Sequence, residues 1–152
     1  MQMEPIATNI VTASVILMQE DKILMVQEGK KQSENLWNFP GGRFEKHESV
    51  FDCAIRECKE ETGITAELTS ILGMYKYISY GKWDMIRYVF LAKEISKQND
   101  FWHHEIKAHR WVSLAEIDNF NDDELLAPNS VRAIVNDIRG GKTFPLEVVK
   151  WC

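Results

Sequence analysis

The sequence predicts an α/β fold, a mixed β-sheet covered by helices in an α/β/α or α+β sandwich. Two observations predict it. Runs with strand character outnumber runs with helical character, and the helical runs are interspersed among the strands. A length of 152 residues suits one compact domain, residues 1–152, with a hydrophobic core of its own. The apolar share of 45% is ordinary for a globular chain.

The elements follow in order. "TASVILMQEDKILMVQE" holds two β-rich runs around the polar "QEDK" and reads as a hairpin. "GKKQSENLWNFPGGRFEKHE" reads as a long loop of turn residues, a kind of segment that often carries function. From Ser49 to Thr62 the pattern is helical, with Ser49 as N-cap, Asp52 three residues on, and Gly63 as terminator. "LTSILGMYKYIS" and "DMIRYVFLAKEI" read as strands joined through "YGKWD", and "AHRWVSL" as a further short strand. "APNSVRAIVNDIRGG" is a closing helix, with Pro128 near its start and Gly140 at its end, and "KTFPLEVVKW" adds a short extended tail.

Bulk properties exclude several classes. A net charge of -5 argues against general attraction to nucleic acid or an anionic membrane. No apolar run approaches a membrane span, and "MQMEPIATNIVTAS" lacks the basic and apolar regions of a signal peptide. Three cysteines, Cys53, Cys58 and Cys152, are few and odd in number, which points to a reducing cytoplasm.

Chemistry concentrates in "RECKEETGI". At about 100° per residue, Phe51, Ile55, Cys58 and Thr62 form an apolar stripe with Ala54 beside it. Glu57, Glu60 and Glu61 then share one arc, with Glu61 at the edge of the stripe and Glu60 nearly opposite it. A solvated acidic face balanced by Arg56 and Lys59 is the plain reading. Against it, the acids lack i,i+4 lysine partners, and one of them borders the buried side, where an unpaired charge is costly. Carboxylates converging beside a sheet suit a hard divalent cation, which would also admit an anionic substrate. Arg56 is placed to orient a glutamate through a forked hydrogen bond.

Read with its upstream loop, "GRFEKHESVFDCAIRECKEETGI" resembles the Nudix box, G-x5-E-x7-R-E-U-x-E-E-x-G-U, through Gly42, Glu48, Arg56, Glu57, Glu60, Glu61, Gly63 and Ile64. Chance would match its seven fixed positions on the order of 10⁻⁸ per start site. Cys58 replaces the usual bulky aliphatic, and His47 stands where many members have Gly. The resemblance implies a Nudix α/β/α sandwich with a mixed β-sheet and hydrolysis of nucleoside diphosphates linked to another group, or of related pyrophosphates, with Mg²⁺ or Mn²⁺. It implies that Glu57, Glu60 and Glu61 bind metal or activate water and that the Gly41 carbonyl completes the shell. A further glutamate before a late strand serves as ligand or base in the family. Glu105 is the candidate here, and a plain surface acid is the other reading of it. "LWNFPGG", "RYVFLA", "HRWVSLAEI" and the closing "LLAP…SVRAIVNDIRGGKTFPLEVV" extend the likeness to bacterial phosphatases of nucleoside di- and triphosphates and of the thiamine pyrimidine pyrophosphate.

Pyrophosphate hydrolysis needs charge neutralisation, an activated water and a placed leaving group. Glu57 is assigned as ligand or base, Glu60 and Glu61 as ligands, and Glu48 as the residue that orients Arg56; which acid is the base stays open. Pro40, Gly41 and Gly42 let the loop backbone approach the metal. Arg43 and Arg87 are the candidate phosphate donors, while Lys30 and Lys31 read as solvated. Of Tyr75, Tyr77, Tyr88 and Trp83, the last is the best stacking platform, because a turn is where burial is least expected. Trp111 reads as core. His103, His104 and His109 lack zinc spacing. Asn129 reads as a turn or cap residue beside Pro128, with base recognition as its other reading. Three functions compete: a phosphatase or pyrophosphatase of small phosphorylated substrates, acting as monomer or homodimer; a housecleaning enzyme releasing pyrophosphate from damaged nucleoside triphosphates; and a module that senses nucleotides without cleaving them.

Overall fold

The computed structural model describes residues 8–152. The signal-peptide reading of the first residues falls largely on residues 1–7, outside the described residues.

The sheet is mixed, in the order β3 (Trp37–Asn38), β2 (Lys22–Glu28), β1 (Asn9–Gln19), β6 (Trp83–Lys97), β5 (Ile64–Ser79). Off this path, β4 (Gly41–Arg43) pairs with β1 and β7 (Ile106–Ser113) with β2. Helix α1 (Val50–Thr62) lies on one face; α2 (Leu114–Asp118) and α3 (Pro128–Gly140) cover the other. Period-2 alternation explains why both faces are apolar. On β1, Ala13, Val15 and Leu17 pack with Cys53, Ala54 and Cys58 of α1. Ile16 points the other way, into a cluster with Ile117 of α2 and Val131, Ile134 and Val135 of α3. Full burial of each large aliphatic contributes about 1.5–3 kcal/mol.

The expected hairpin survives only at its tip, where Met18 faces Ile23 and Gln19 faces Lys22. Beyond that the strands part. β1 runs parallel to β6, from Asn9 opposite Asp84 to Leu17 opposite Ala92. β2 instead pairs antiparallel with β7. The expected long loop contains β3 and β4, so Arg43 is a strand residue paired with Thr12. β5 begins directly after α1, and Trp83 opens β6 rather than lying in the turn. Helix α3 ends at Gly140, as expected, and Gly141 caps it at φ 68°. The tail makes a single bridge, Phe144 to Ile71, before a 3₁₀ turn over Leu146–Val148.

Helix α1 follows its capping chemistry. The Ser49 side chain accepts from the Asp52 N–H, and Gly63 closes the helix at φ 72°. Its buried face is Val50, Cys53, Ala54, Cys58, Glu61 and Thr62. Ile55, expected in the stripe, is only half-buried. The face is rotated towards Cys53, and that rotation carries Glu61 inside the protein.

Candidate active site

Arg56 organises the acidic helix. Its Nε and Nη2 donate to the two oxygens of Glu48 at 2.6 and 2.9 Å, a fork on a carboxylate. Nη1 lies 2.9 Å from Glu57 Oε1 and 3.1 Å from Glu60 Oε2, so Glu60 does have a cationic i,i+4 partner. Nη2 also donates to the Arg43 carbonyl at 3.0 Å, tying α1 to β4. The hydrogen bond from Arg56 holds the Glu48 carboxyl below the usual range.

Glu61 is 8% exposed and accepts the Gly41 N–H at 2.7 Å. Its carboxyl is pushed well above the ordinary value by burial and then by the charge of Glu28. Burial also raises Glu57 and Glu28. His109 Nε2 lies 2.8 Å from the Glu61 carbonyl; a carbonyl only accepts, so the Nε2–H tautomer donates and pins the end of α1 to β7.

Two adjacent glycines admit this packing for different reasons. A Cβ on Gly41 would stand 2.4 Å from the Ala13 carbonyl and 2.7 Å from Ser14 Cα, both backbone of β1. A Cβ on Gly42 would stand 2.4 Å from Cδ of Glu57. Gly41→Ala is therefore expected to force β4 off β1 and cost about 1–3 kcal/mol, the usual range for overpacking. A denaturant titration reads the change, and an unchanged midpoint would contradict the close β1–β4 contact.

Between helix and sheet opens a cavity of about 960 Å³. Glu57, Glu60, Glu61 and Glu105 line it, together with Arg43, Arg87, Trp83, Gly41 and Gly42. Among the described residues no three carboxylate, imidazole or thiol groups are drawn close enough to enclose a cation. Arg56 Nη1 bridges Glu57 and Glu60 instead.

The NUDIX domain family matches residues 8–133. The chain is 32% identical over 141 residues to the phosphatase NudJ of Escherichia coli K12, covering 91% of this chain and 89% of that relative. The chain belongs to the Nudix family. It is a MutT-like Nudix hydrolase. The solved structure of a NUDIX hydrolase from Nitrosomonas europaea superposes with a TM-score of 0.88 at 26% identity, over 95% of this chain and 98% of that one. A bifunctional NMN adenylyltransferase/ADP-ribose pyrophosphatase from Francisella tularensis, complexed with AMP and a manganese ion, superposes at 0.66 with 27% identity, over 89% of this chain and 43% of that one.

Outside the Nudix box, the remaining residues divide. Arg87 is buried; its Nη2 donates to the Tyr77 hydroxyl at 3.0 Å, while Nε and Nη1 find no partner among the described residues. Glu105 stands in the turn before β7, paired with Lys30 at 3.2 Å. Lys30, expected to be solvated, thus belongs to the cavity wall. Tyr77 lines the cavity, whereas Tyr75 donates to Asp137 and Tyr88 packs on the core. Trp111 is half-buried against the α1-side core. The His103 and His104 rings stack 4.7 Å apart, away from His109. Asn129 is exposed in the first turn of α3 and does not reach the cavity.

Glu28, Asn38 and Tyr80 are among the lining residues that the sequence does not single out. Glu28 ends an apolar strand run, and its only signal there was a charge following "KILMVQ".

The raised carboxyls make the metal-free fold pH-dependent. Glu28, Glu57 and Glu61 bind protons more tightly in the folded than in the unfolded chain. Their contribution is full below the ordinary value of 4.5 and is lost as pH rises through the raised values. The lowered groups Glu34, Glu48 and Glu116 act oppositely, and only below 4.5. Chelator-treated protein should therefore melt at higher temperature near pH 5 than near pH 8. A Tm that rises steadily with pH over that window would contradict the burial of these acids.

Proposed function

We propose that this Nudix hydrolase depends on a divalent metal and cleaves a phosphoanhydride bond of a nucleoside di- or triphosphate, or of a thiamine-type pyrophosphate, by attack of water. The observation that carries the reading is one cavity with carboxylates on α1 and cationic donors on the strands that cross its floor. Similarity to a phosphatase supports phosphate release, and a structural neighbour with a pyrophosphatase activity, complexed with AMP and a manganese ion, is consistent with a nucleotide substrate and a divalent metal.

The donor chemistry of the residues present fits such an ion, which would have to draw Glu57, Glu60 and Glu61 closer than they stand. All donors are oxygen, as a hard cation requires. Glu61 is held buried against the repulsion of Glu28 and Glu57, a cost that a cation relieves. Glu57 occupies space that any Cβ at position 42 would fill. Glu57, Glu60 and Glu61 would hold the ion, with the Gly41 carbonyl and Glu105 as further oxygen donors. When bound, the ion neutralises phosphate charge and lowers the pKa of water.

The chain's own groups do the rest. Glu57, with Glu60 or Glu105 beside the cavity, takes the proton from the attacking water. Arg56 orients Glu57 and Glu60 and is itself fixed by the fork to Glu48. Arg43 and Arg87 donate to the substrate, and Trp83 offers a face for its ring. Residues 1–152 act as one domain, as monomer or homodimer, in the cytoplasm. Among the described residues no helix is long and apolar enough to cross a membrane.

The test is a turnover screen with Mg²⁺ over nucleotides, nucleotide sugars and pyrimidine pyrophosphates, measuring orthophosphate and pyrophosphate separately. Orthophosphate is expected. Pyrophosphate from a triphosphate would replace the reading with a housecleaning hydrolase. Binding without turnover across the panel would make the chain a sensing module.

A further inference from the structure

The connection between β6 and β7, residues 98–105, carries an aromatic side chain that the cavity does not use. Phe101 is half-buried and is not part of the cavity wall. Its ring lies on Gly63, the residue that ends α1. A Cβ at Gly63 would stand 2.5 Å from Phe101 Cγ and 2.8 Å from its Cβ and Cδ2. Gly63 is therefore needed twice, once for its φ of 72° and once because a side chain there would displace the ring. The same glycine takes a second contact from the same connection, since the Gln98 N–H donates to the Gly63 carbonyl at 2.9 Å.

The other end of the connection is fixed to the residue that follows β2. The Gly29 N–H donates to the Glu105 carbonyl at 2.7 Å, and a Cβ on Gly29 would stand 3.1 Å from that oxygen. Between the two ends the backbone is held by its own side chain: the Glu105 N–H donates to Nδ1 of His103 at 3.2 Å, and the Ile106 N–H to the His103 carbonyl at 3.1 Å. His103 and Glu105 line the cavity, whereas Trp102 between Phe101 and His103 is 75% exposed.

Glu105 is thus slung between Gly29 on one side and the end of α1 on the other. Glu60 and Glu61 stand in the last turn of α1, directly before Gly63, so whatever is tied to Gly63 is tied to them. Remove the ring, and the α1 side keeps only the backbone hydrogen bond at Gln98, at the far end of the connection from Glu105. A segment with few buried apolar contacts opens at low cost, and Phe101 is the apolar contact that this one makes with the helix end.

We propose that Phe101 is a positioning residue: seated on Gly63, it locks the 98–105 connection to α1 and so fixes Glu105 relative to the carboxylates of that helix. This inference rests on the hydrolase reading above and adds to it a residue outside the cavity.

The experiment is a double-mutant cycle of Phe101→Ala and Glu105→Gln, with Phe101→Leu and Phe101→Tyr alongside. Its readouts are kcat and KM on a nucleoside diphosphate with Mg²⁺, and hydrogen exchange of the metal-free proteins. Phe101→Ala is expected to lower kcat about tenfold or more and to leave KM within about threefold, since a misplacement of roughly 1 Å costs about a hundredfold. In the Glu105→Gln background the same change should lower kcat by less than about threefold, because residues that act through one another are not additive. Phe101→Tyr keeps the ring and should stay within about threefold of wild type, with Phe101→Leu in between. Amides of residues 102–106 should exchange about tenfold faster or more in Phe101→Ala, while those of α1 do not change. If Phe101→Ala does not fold, Phe101→Leu carries the same cycle. Wild-type kcat in Phe101→Ala or in Glu105→Gln, an equal loss with and without the Glu105 carboxylate, or unchanged exchange at 102–106 overturns the inference. Any of these with turnover intact leaves the hydrolase reading standing. No turnover by wild type sinks that reading instead, and the exchange rates then decide whether Phe101 anchors the connection.

Discussion

Glu57→Gln is expected to lower kcat by about a hundredfold or more, the scale of losing a ligand or base, while the protein stays folded. The substitution keeps shape and removes charge. Glu57 faces the Gly42 backbone on one side and Arg56 Nη1 on the other, so a neutral amide still packs there. Its burial disfavours the charge, so the metal-free variant should melt no lower than wild type at pH 8. Glu61→Gln should behave alike, because an amide oxygen still accepts the Gly41 N–H. Steady-state kinetics together with thermal melts separate loss of chemistry from loss of fold. Wild-type rates in both variants would remove the acidic helix from the mechanism.

Gly42→Ala tests positioning without touching a charge. The new methyl would meet the far end of the Glu57 side chain, within 2.4 Å of Cδ, and no backbone atom is among its nearest neighbours. A flexible chain end yields cheaply, so the Tm should change little. The carboxylate must move by roughly 1 Å, and displacement on that scale costs about a hundredfold in rate. Gly41→Ala should do the reverse and register mainly as lost stability, because there the neighbours are backbone. If Gly42→Ala lost stability and kept its rate, the placement of Glu57 against that glycine would be wrong.

What the sequence discloses follows the range of the forces involved. Helix α1 was legible end to end, because Ser49, Asp52 and Gly63 act within one or two turns. The Nudix box was legible for the same reason: Glu48, Arg56, Glu57, Glu60 and Glu61 keep fixed spacing on one helix and its approach. Strand partners were not. β1 and β2 look like a plain hairpin, yet β1 spends its length beside β6, some seventy residues on, and local patterning carries no trace of that choice. Glu28 escaped notice as the charge that closes an apolar strand run, and Asn38 as one polar residue in what reads as a long loop. Only the β2–β3 pairing, the bulge at Gln27/Glu28 and burial bring them to the cavity floor. Arg87 was legible as a charge on an apolar strand face. Its two unpartnered nitrogens emerge only once β1, β5 and β6 are assembled around it. Lys30 looked solvated because its ion pair with Glu105 spans the β2–β7 connection.

On the proposed function, a divalent ion held by this acidic helix drives phosphoanhydride hydrolysis. The most direct measurement is phosphate release from a nucleoside diphosphate by chelator-treated protein as Mg²⁺ is titrated back, at neutral pH. The predicted result is no turnover without the ion and saturable recovery in wild type, with recovery absent in Glu61→Gln across the same range. Full turnover in excess chelator, or identical Mg²⁺ curves for wild type and Glu61→Gln, would contradict it.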